Sequence, residues 1–181
     1  MSGADAAGPA DGYELREPRP ADVDACTELH ARIWRETYRG IMPDEVVDRL
    51  SPEGFRPTWE RVAQAYQQGT VPQDGRAFRV AFIDGEPVGF GMTGPALDDD
   101  PPAPRQVYAL NVAPEHQGTG LAQRLLAEAF GDGPGYLWVA RGNDRAVRFY
   151  ERHGFVLDGT AAEDRHDGLT ELRMVRATVE G

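Results

Sequence analysis

Lysine is missing from this 181-residue chain: all nineteen basic side chains are arginine. Codon bias in a GC-rich genome is the plain reading of this, and the chemical consequence is that no lysine is available for self-acylation. Cysteine is nearly missing too. The single Cys26 excludes an intramolecular disulfide and any multi-cysteine metal site; on a helical apolar face it reads as a small core residue. No apolar run approaches the ~20 residues that a membrane span needs, and the first residues lack the apolar core of a signal peptide. A cytoplasmic location is the expectation. Positive charge is also scarce. A net charge of −11 disfavours nucleic acid or an anionic membrane as partner and is compatible with a cationic substrate. What is present, 40% hydrophobic residues and three Trp, belongs to a globular protein. The length suits one domain with a full core.

Residues 1–12 are rich in Ala, Gly, Asp and Pro, carry no apolar period and read as a disordered tail. Residues 13–178 read as a single domain. Tyr13–Arg16 suggests a short strand. Pro20-Ala21-Asp22 starts a helix that places Val23, Cys26, Leu29, His30 and Ile33 on one face. Trp34 to Gly40 is dense in aromatic and charged residues. Pro43 opens a short helix with Val46, Val47 and Leu50, and Pro52 or Pro57 opens another with Trp59, Val62, Ala63 and Tyr66. Ala77–Ile83 alternates as a strand, and Asp84-Gly85 turns it into a second, Pro87 to Met92. The acidic, proline-rich run from Ala96 to Arg105 reads as a loop. Further strands are expected at Val107–Val112, Tyr136–Ala140, Phe155–Leu157 and Leu169–Arg176, the last two as an antiparallel pair. A helix from Asn143 to His153 has Asn143 as N-cap and Gly154 just past its end.

The stretch with the most chemistry runs from Val107 to Phe130. A strand ends at Ala113-Pro114, and the loop Gln117-Gly118-Thr119-Gly120 runs into a helix on which Leu121, Leu125 and Ala129 recur. A flexible loop at a helix start can bind an anion, because the first turn has unpaired N–H groups and a positive dipole end. It can equally be a tight turn without ligand. A third glycine or a Lys-Ser/Thr pair, as dinucleotide or kinase-type phosphate loops require, is absent.

Element order adds to this. Gln117-Gly118-Thr119-Gly120-Leu121-Ala122 resembles the Gln/Arg-x-x-Gly-x-Gly/Ala signature of the GNAT superfamily of N-acetyltransferases, with Leu110-Asn111-Val112 and Pro114-Glu115-His116 as a typical lead-in. Asn143-x-x-Ala146-x-x-Phe149-Tyr150-Glu151-x-x-Gly154-Phe155 is similar to the superfamily's second block, and Glu171 to Arg176 to its last strand. The resemblance implies an α/β GNAT fold, a mixed central sheet of about six to seven strands flanked by helices. It implies a bacterial, acetyl-CoA-dependent enzyme without metal. The pyrophosphate of coenzyme A would lie on the backbone of Gly118, Thr119, Gly120, Leu121 and Ala122 beside Gln117. The pantetheine arm would pair with the edge of Leu110, Asn111 and Val112, Asn143 would touch that arm, and Tyr150 would protonate the leaving thiolate as general acid.

The acceptor side matches less. Many members carry a glutamate ahead of the Leu-x-Val segment as base, where this chain has Gln106. Other candidates are Glu36, Tyr38, Tyr108 and Glu171, or bulk water; each side chain also fits a surface or core role. Trp34 to Gly40 resembles the acceptor region of one bacterial group, so that Trp34, Glu36 and Tyr38, with Tyr108, would contact substrate. The same aromatics also suit packing of the helices onto the sheet. The expected acceptor is a primary amine on a small molecule, before a protein amine, and a homodimer is compatible with the family. A non-catalytic acyl-CoA-binding module remains the alternative, favoured by Gln106; a nucleotide-phosphate binder is more distant.

Overall fold

A computed structural model describes residues 12–71, 73–163 and 169–177. The tail expected over residues 1–12 lies outside the described residues except for Gly12. Seven strands form one sheet in the order β1-β2-β3-β4-β5-β7-β6. They are β1 (Glu14–Arg16), β2 (Ala77–Ile83), β3 (Glu86–Pro95), β4 (Arg105–Val112), β5 (Gly135–Ala140), β6 (Val156–Glu163) and β7 (Thr170–Arg176). Every neighbouring pair is antiparallel except β4 with β5. This is a seven-stranded mixed sheet flanked by helices, the architecture expected from the motifs.

The helices are α1 (Val23–Tyr38), α2 (Asp44–Asp48), α3 (Pro52–Gln67), α4 (Leu121–Ala129) and α5 (Asp144–Arg152). Apolar spacing decides which face each buries. Val23, Cys26, Leu29 and Ile33 of α1 pack with Trp59 and Val62 of α3 onto Phe78, Val80, Phe90 and Met92 of β2 and β3. On the other face, Leu121 and Leu125 of α4 meet Ala81, Val88 and Val112. Gly89 of β3 lets α4 come this close: a methyl there would lie 3.0 Å from the Asn111 carbonyl and 3.3 Å from Leu125. A further cluster joins Leu126 and Phe130 to Tyr150, Phe155, Leu137 and Met174, and so fixes α5 against β5 and β7.

Local chemistry sets the ends of α5. The Asn143 side chain accepts from the Ala146 N–H at 3.2 Å, and Gly154 follows the last turn at a φ of 82°. One element differs from the sequence reading, and one choice it left open is decided. Trp34 to Tyr38 is the last turn of α1 rather than a separate segment, and its half-buried aromatics pack on each other and on Phe55. The third helix starts at Pro52 and runs through Pro57, whose missing N–H falls near the start, where few helical bonds are lost.

Candidate active site

The sheet splits at its centre. β4 and β5 are in register only at Gln106 with Tyr136 and Val107 with Leu137. Beyond those pairs β4 stays bonded to β3, and β5 to β7, so the two inner edges diverge. The split opens a cavity of about 640 Å³. An edge of backbone N–H and C=O groups inside a cavity is a template for an extended ligand. Ala109 to Val112 line one side of it, and Trp138 to Ala140 the other.

Within β4 the register against β3 slips at Met92 and Thr93, which pair with Ala109 and Val107 and leave Tyr108 as the extra residue of a bulge. The bulge turns Tyr108 into the cavity wall, where its hydroxyl donates to the Pro95 carbonyl at 2.5 Å. Burial pushes this phenol's pKa upward.

At the mouth of the split stands the glycine loop. Gly118 and Gly120 take φ of 79° and 84°, a left-handed backbone that glycine adopts without strain. No side chain caps α4, and among the described residues no carbonyl accepts from the N–H groups of Gly118 to Ala122. Amides left open at the positive end of a helix are suited to receive an anion. The loop is braced from behind: Gln117 Nε2 donates to the Val112 carbonyl at 2.9 Å, and the Thr119 hydroxyl to the His116 carbonyl at 2.7 Å. Leu121 is fully buried, its side chain packed with Leu125 in the core under α4. Arg145, in the first turn of α5, donates to the Gln117 side chain and brings a guanidinium to the same place.

Asn143 and Tyr150 line the cavity from α5. The cap uses Asn143 Oδ1, which leaves its amide N–H₂ as the group a ligand can meet. Tyr150 is buried against Phe149 and Phe155, with ring centroids 5.2 and 5.7 Å away. Burial first, and the Tyr38 phenol second, hold its pKa well above the ordinary tyrosine value. Such a phenol keeps its proton until a strong base forms beside it.

Trp34, Glu36 and Tyr38 close the cavity from α1, and Leu169 and Glu171 from the β7 side. Trp34 does both things its sequence allowed, lining the cavity while its ring packs 5.3 Å from Phe55 and 4.9 Å from Tyr38. Gln106 is not in the lining. It is buried, and its Oε1 accepts from the Tyr136 hydroxyl at 2.9 Å and the Leu97 N–H at 3.0 Å. His116 stands outside as well, with Nδ1 on the Tyr13 hydroxyl at 2.9 Å. His30 is buried in the α1–α3 core, where Trp59 Nε1 donates to its Nδ1 at 3.3 Å.

The structure therefore gathers Trp34, Glu36, Tyr38, Tyr108, Leu110, Asn111, Val112, Gln117, Ala122, Asn143 and Tyr150 around one cavity, with Gly118, Thr119 and Gly120 at its mouth. Phe149 of the second block lines the cavity too, and Arg145 and Trp138 join it without having been expected there. Alternation along β5 puts Trp138 opposite in facing to Leu137 and Val139, a usable signal; nothing local marks Arg145.

A family model for the acetyltransferase (GNAT) family matches residues 25–155. The chain belongs to the GNAT family. As a member it is an N-acetyltransferase. A Mycobacterium tuberculosis protein named as a probable N-acetyltransferase is 32% identical over 148 residues, covering 80% of each chain. An aminoglycoside N(6')-acetyltransferase type 1 of Klebsiella pneumoniae is 26% identical over 138 residues, 68% of this chain and 69% of that one. Among solved structures, the PaiA N-acetyltransferase of Thermoplasma acidophilum in complex with coenzyme A superposes with a TM-score of 0.69 at 21% identity, over 91% of this chain and 98% of that one. That likeness carries the fold.

Proposed function

We propose that this GNAT protein transfers an acetyl group from acetyl-CoA to a primary amine of a small molecule by direct attack within a ternary complex. The observation that carries the reading is the split between β4 and β5, with the free amides of Gly118 to Ala122 at its mouth and Tyr150 inside. The pyrophosphate lies on those amides, each charged hydrogen bond contributing roughly 1.5–3 kcal/mol. The pantetheine arm runs along Leu110 to Val112 as an added strand, and the Asn143 amide N–H₂ bonds to it. The thioester then reaches the narrow end of the split.

The amine, once neutral, attacks the thioester carbonyl carbon. Its C–N bond forms as the C–S bond breaks, and the sulfur takes the proton of the Tyr150 hydroxyl; solvent returns that proton. The elevated pKa of Tyr150 suits it to be protonated at the start of each turnover. The Tyr108 proton is engaged by the Pro95 carbonyl and Gln106 is turned into the protein, so neither is the base in this scheme. The amine's proton leaves to water or to a carboxylate at the α1 end.

Thiol release from acetyl-CoA with alkylamines, arylalkylamines, amino sugars and amino acids tests the reading. Release with at least one class, reduced at least about 100-fold in kcat by Tyr150→Phe with the KM for acetyl-CoA little changed, is the expected result. Binding of acetyl-CoA without release on any amine would instead make the protein an acyl-CoA-binding module.

A further inference from the structure

The end of the cavity away from the phosphate loop has a composition of its own. Trp34 and Tyr38 of α1 and Trp138 of β5 form its walls. The Trp138 ring is held on two sides: its indole N–H donates to Asp98 Oδ2 at 3.0 Å, and the Arg173 guanidinium lies 5.7 Å from its centroid. Arg173 is itself fixed by Asp158 at 2.7 Å and the Thr160 hydroxyl at 3.0 Å. A ring clamped at edge and face is a wall formed before any acceptor arrives, so little ordering is left for binding to supply.

Charge is sorted along the same cavity. Among the described residues, Arg145 is the lining cation, and it sits at the phosphate-loop end beside Gln117. The lining acids, Glu36 and Glu171, come from α1 and β7, and Asp98 brings a third carboxylate to the edge of Trp138. Arg173, the nearby cation, is offset by its ion pair with Asp158.

We infer that the acceptor is an alkylamine or arylalkylamine with no carboxylate next to its amine, and that Trp138 and Asp98 set this preference. The inference rests on the transferase reading above. An ammonium entering this end meets ring faces and carboxylates, both of which attract it. A carboxylate on the adjacent carbon would be carried into the same space, where among the described residues it finds acids of like charge and no lining cation to replace its water.

Matched pairs that differ only in that carboxylate provide the test: tyramine with tyrosine, tryptamine with tryptophan, cadaverine with lysine. Thiol release from acetyl-CoA is followed for each with the full-length protein. The decarboxylated member should show the higher kcat/KM by roughly tenfold or more. Asp98→Asn, and separately Glu36→Gln, should move that ratio toward one; a loss of structure alone would depress both members together and leave it unchanged. A ratio near one or favouring the amino acid, a ratio untouched by both substitutions, or turnover of amino sugars but of none of the six compounds overturns the inference and leaves the transferase reading standing. Absence of thiol release from every amine class despite acetyl-CoA binding is the failure of that reading instead.

Discussion

The Tyr136 hydroxyl donates to Gln106 Oε1 at 2.9 Å, across the first of the two pairs of residues that hold β4 and β5 in register before they part. The same oxygen accepts from the Leu97 N–H, and the Tyr136 hydroxyl accepts from the Asp98 N–H at 3.4 Å. Gln106 thus ties the 96–105 loop to the closed end of the split. An amide oxygen that receives two donors inside the sheet is a structural tether, which explains why glutamine suits the position.

Gln106→Leu should therefore cost about 1–3 kcal/mol of stability, since it leaves the buried Tyr136 hydroxyl without its acceptor. Chemical denaturation measures this. Gln106→Glu should keep the tether and give no new base: the kcat–pH profile should match that of the parent. A new ionisation in that profile would mean that the side chain reaches the cavity after all.

Gly120 offers a test of the proposed phosphate loop that changes no contact. A methyl group there would meet nothing within 4 Å, yet φ is 84°. Gly120→Ala should strain the backbone by roughly 1–2 kcal/mol and turn the amides at the start of α4 away from the ligand. Acetyl-CoA affinity, read by calorimetry, should fall about tenfold or more. Turnover at saturating acetyl-CoA should change much less.

These two positions mark what was legible in the sequence and what was not. The loop from Gln117 to Gly120 and the helix from Asn143 to Gly154 carry their instructions locally: left-handed glycines, a capping amide, an apolar stripe. Their types and ends follow from a few neighbouring residues, and their order in the chain points to the fold. The tether at Gln106 joins it to a tyrosine thirty positions away, and Asp98 reaches Trp138 across forty. No period or turn rule encodes such pairs. The bulge at Tyr108 is similar, since it exists only in the register of β4 against β3. Hence the local geometry at the glycine-loop end could be read from the sequence, while that of the opposite end depends on which loops and strands meet.

Arg145 carries the next prediction. Its guanidinium lies beside Gln117 at the cavity mouth, where the proposed pyrophosphate sits. Arg145→Gln should raise the KM for acetyl-CoA about tenfold, the loss of one charge-assisted hydrogen bond of roughly 1.5–3 kcal/mol. The kcat should stay near the parent value, because the change is far from the thioester. The parent's KM should also rise with added salt more steeply than the variant's. Equal salt slopes would place the phosphates elsewhere.

His30 predicts how the fold responds to acid. It is buried among Phe55, Trp59 and Phe90, with Phe55 stacked at 4.0 Å. Burial lowers its pKa to about 3. A group whose folded pKa is lowered binds more protons unfolded than folded between the two values. Stability from the neutral ring is therefore complete above pH 6.5 or so and is lost as pH falls toward 3. At pH 4 the loss from this residue alone should be about 3 kcal/mol. His30→Phe removes the titration but also the acceptor of the Trp59 indole N–H, so it should be less stable than the parent at pH 7. Between pH 7 and pH 4 it should lose less than the parent does. Urea unfolding at the two pH values gives the comparison, and equal losses in both proteins would show that the ring takes up its proton without leaving the core.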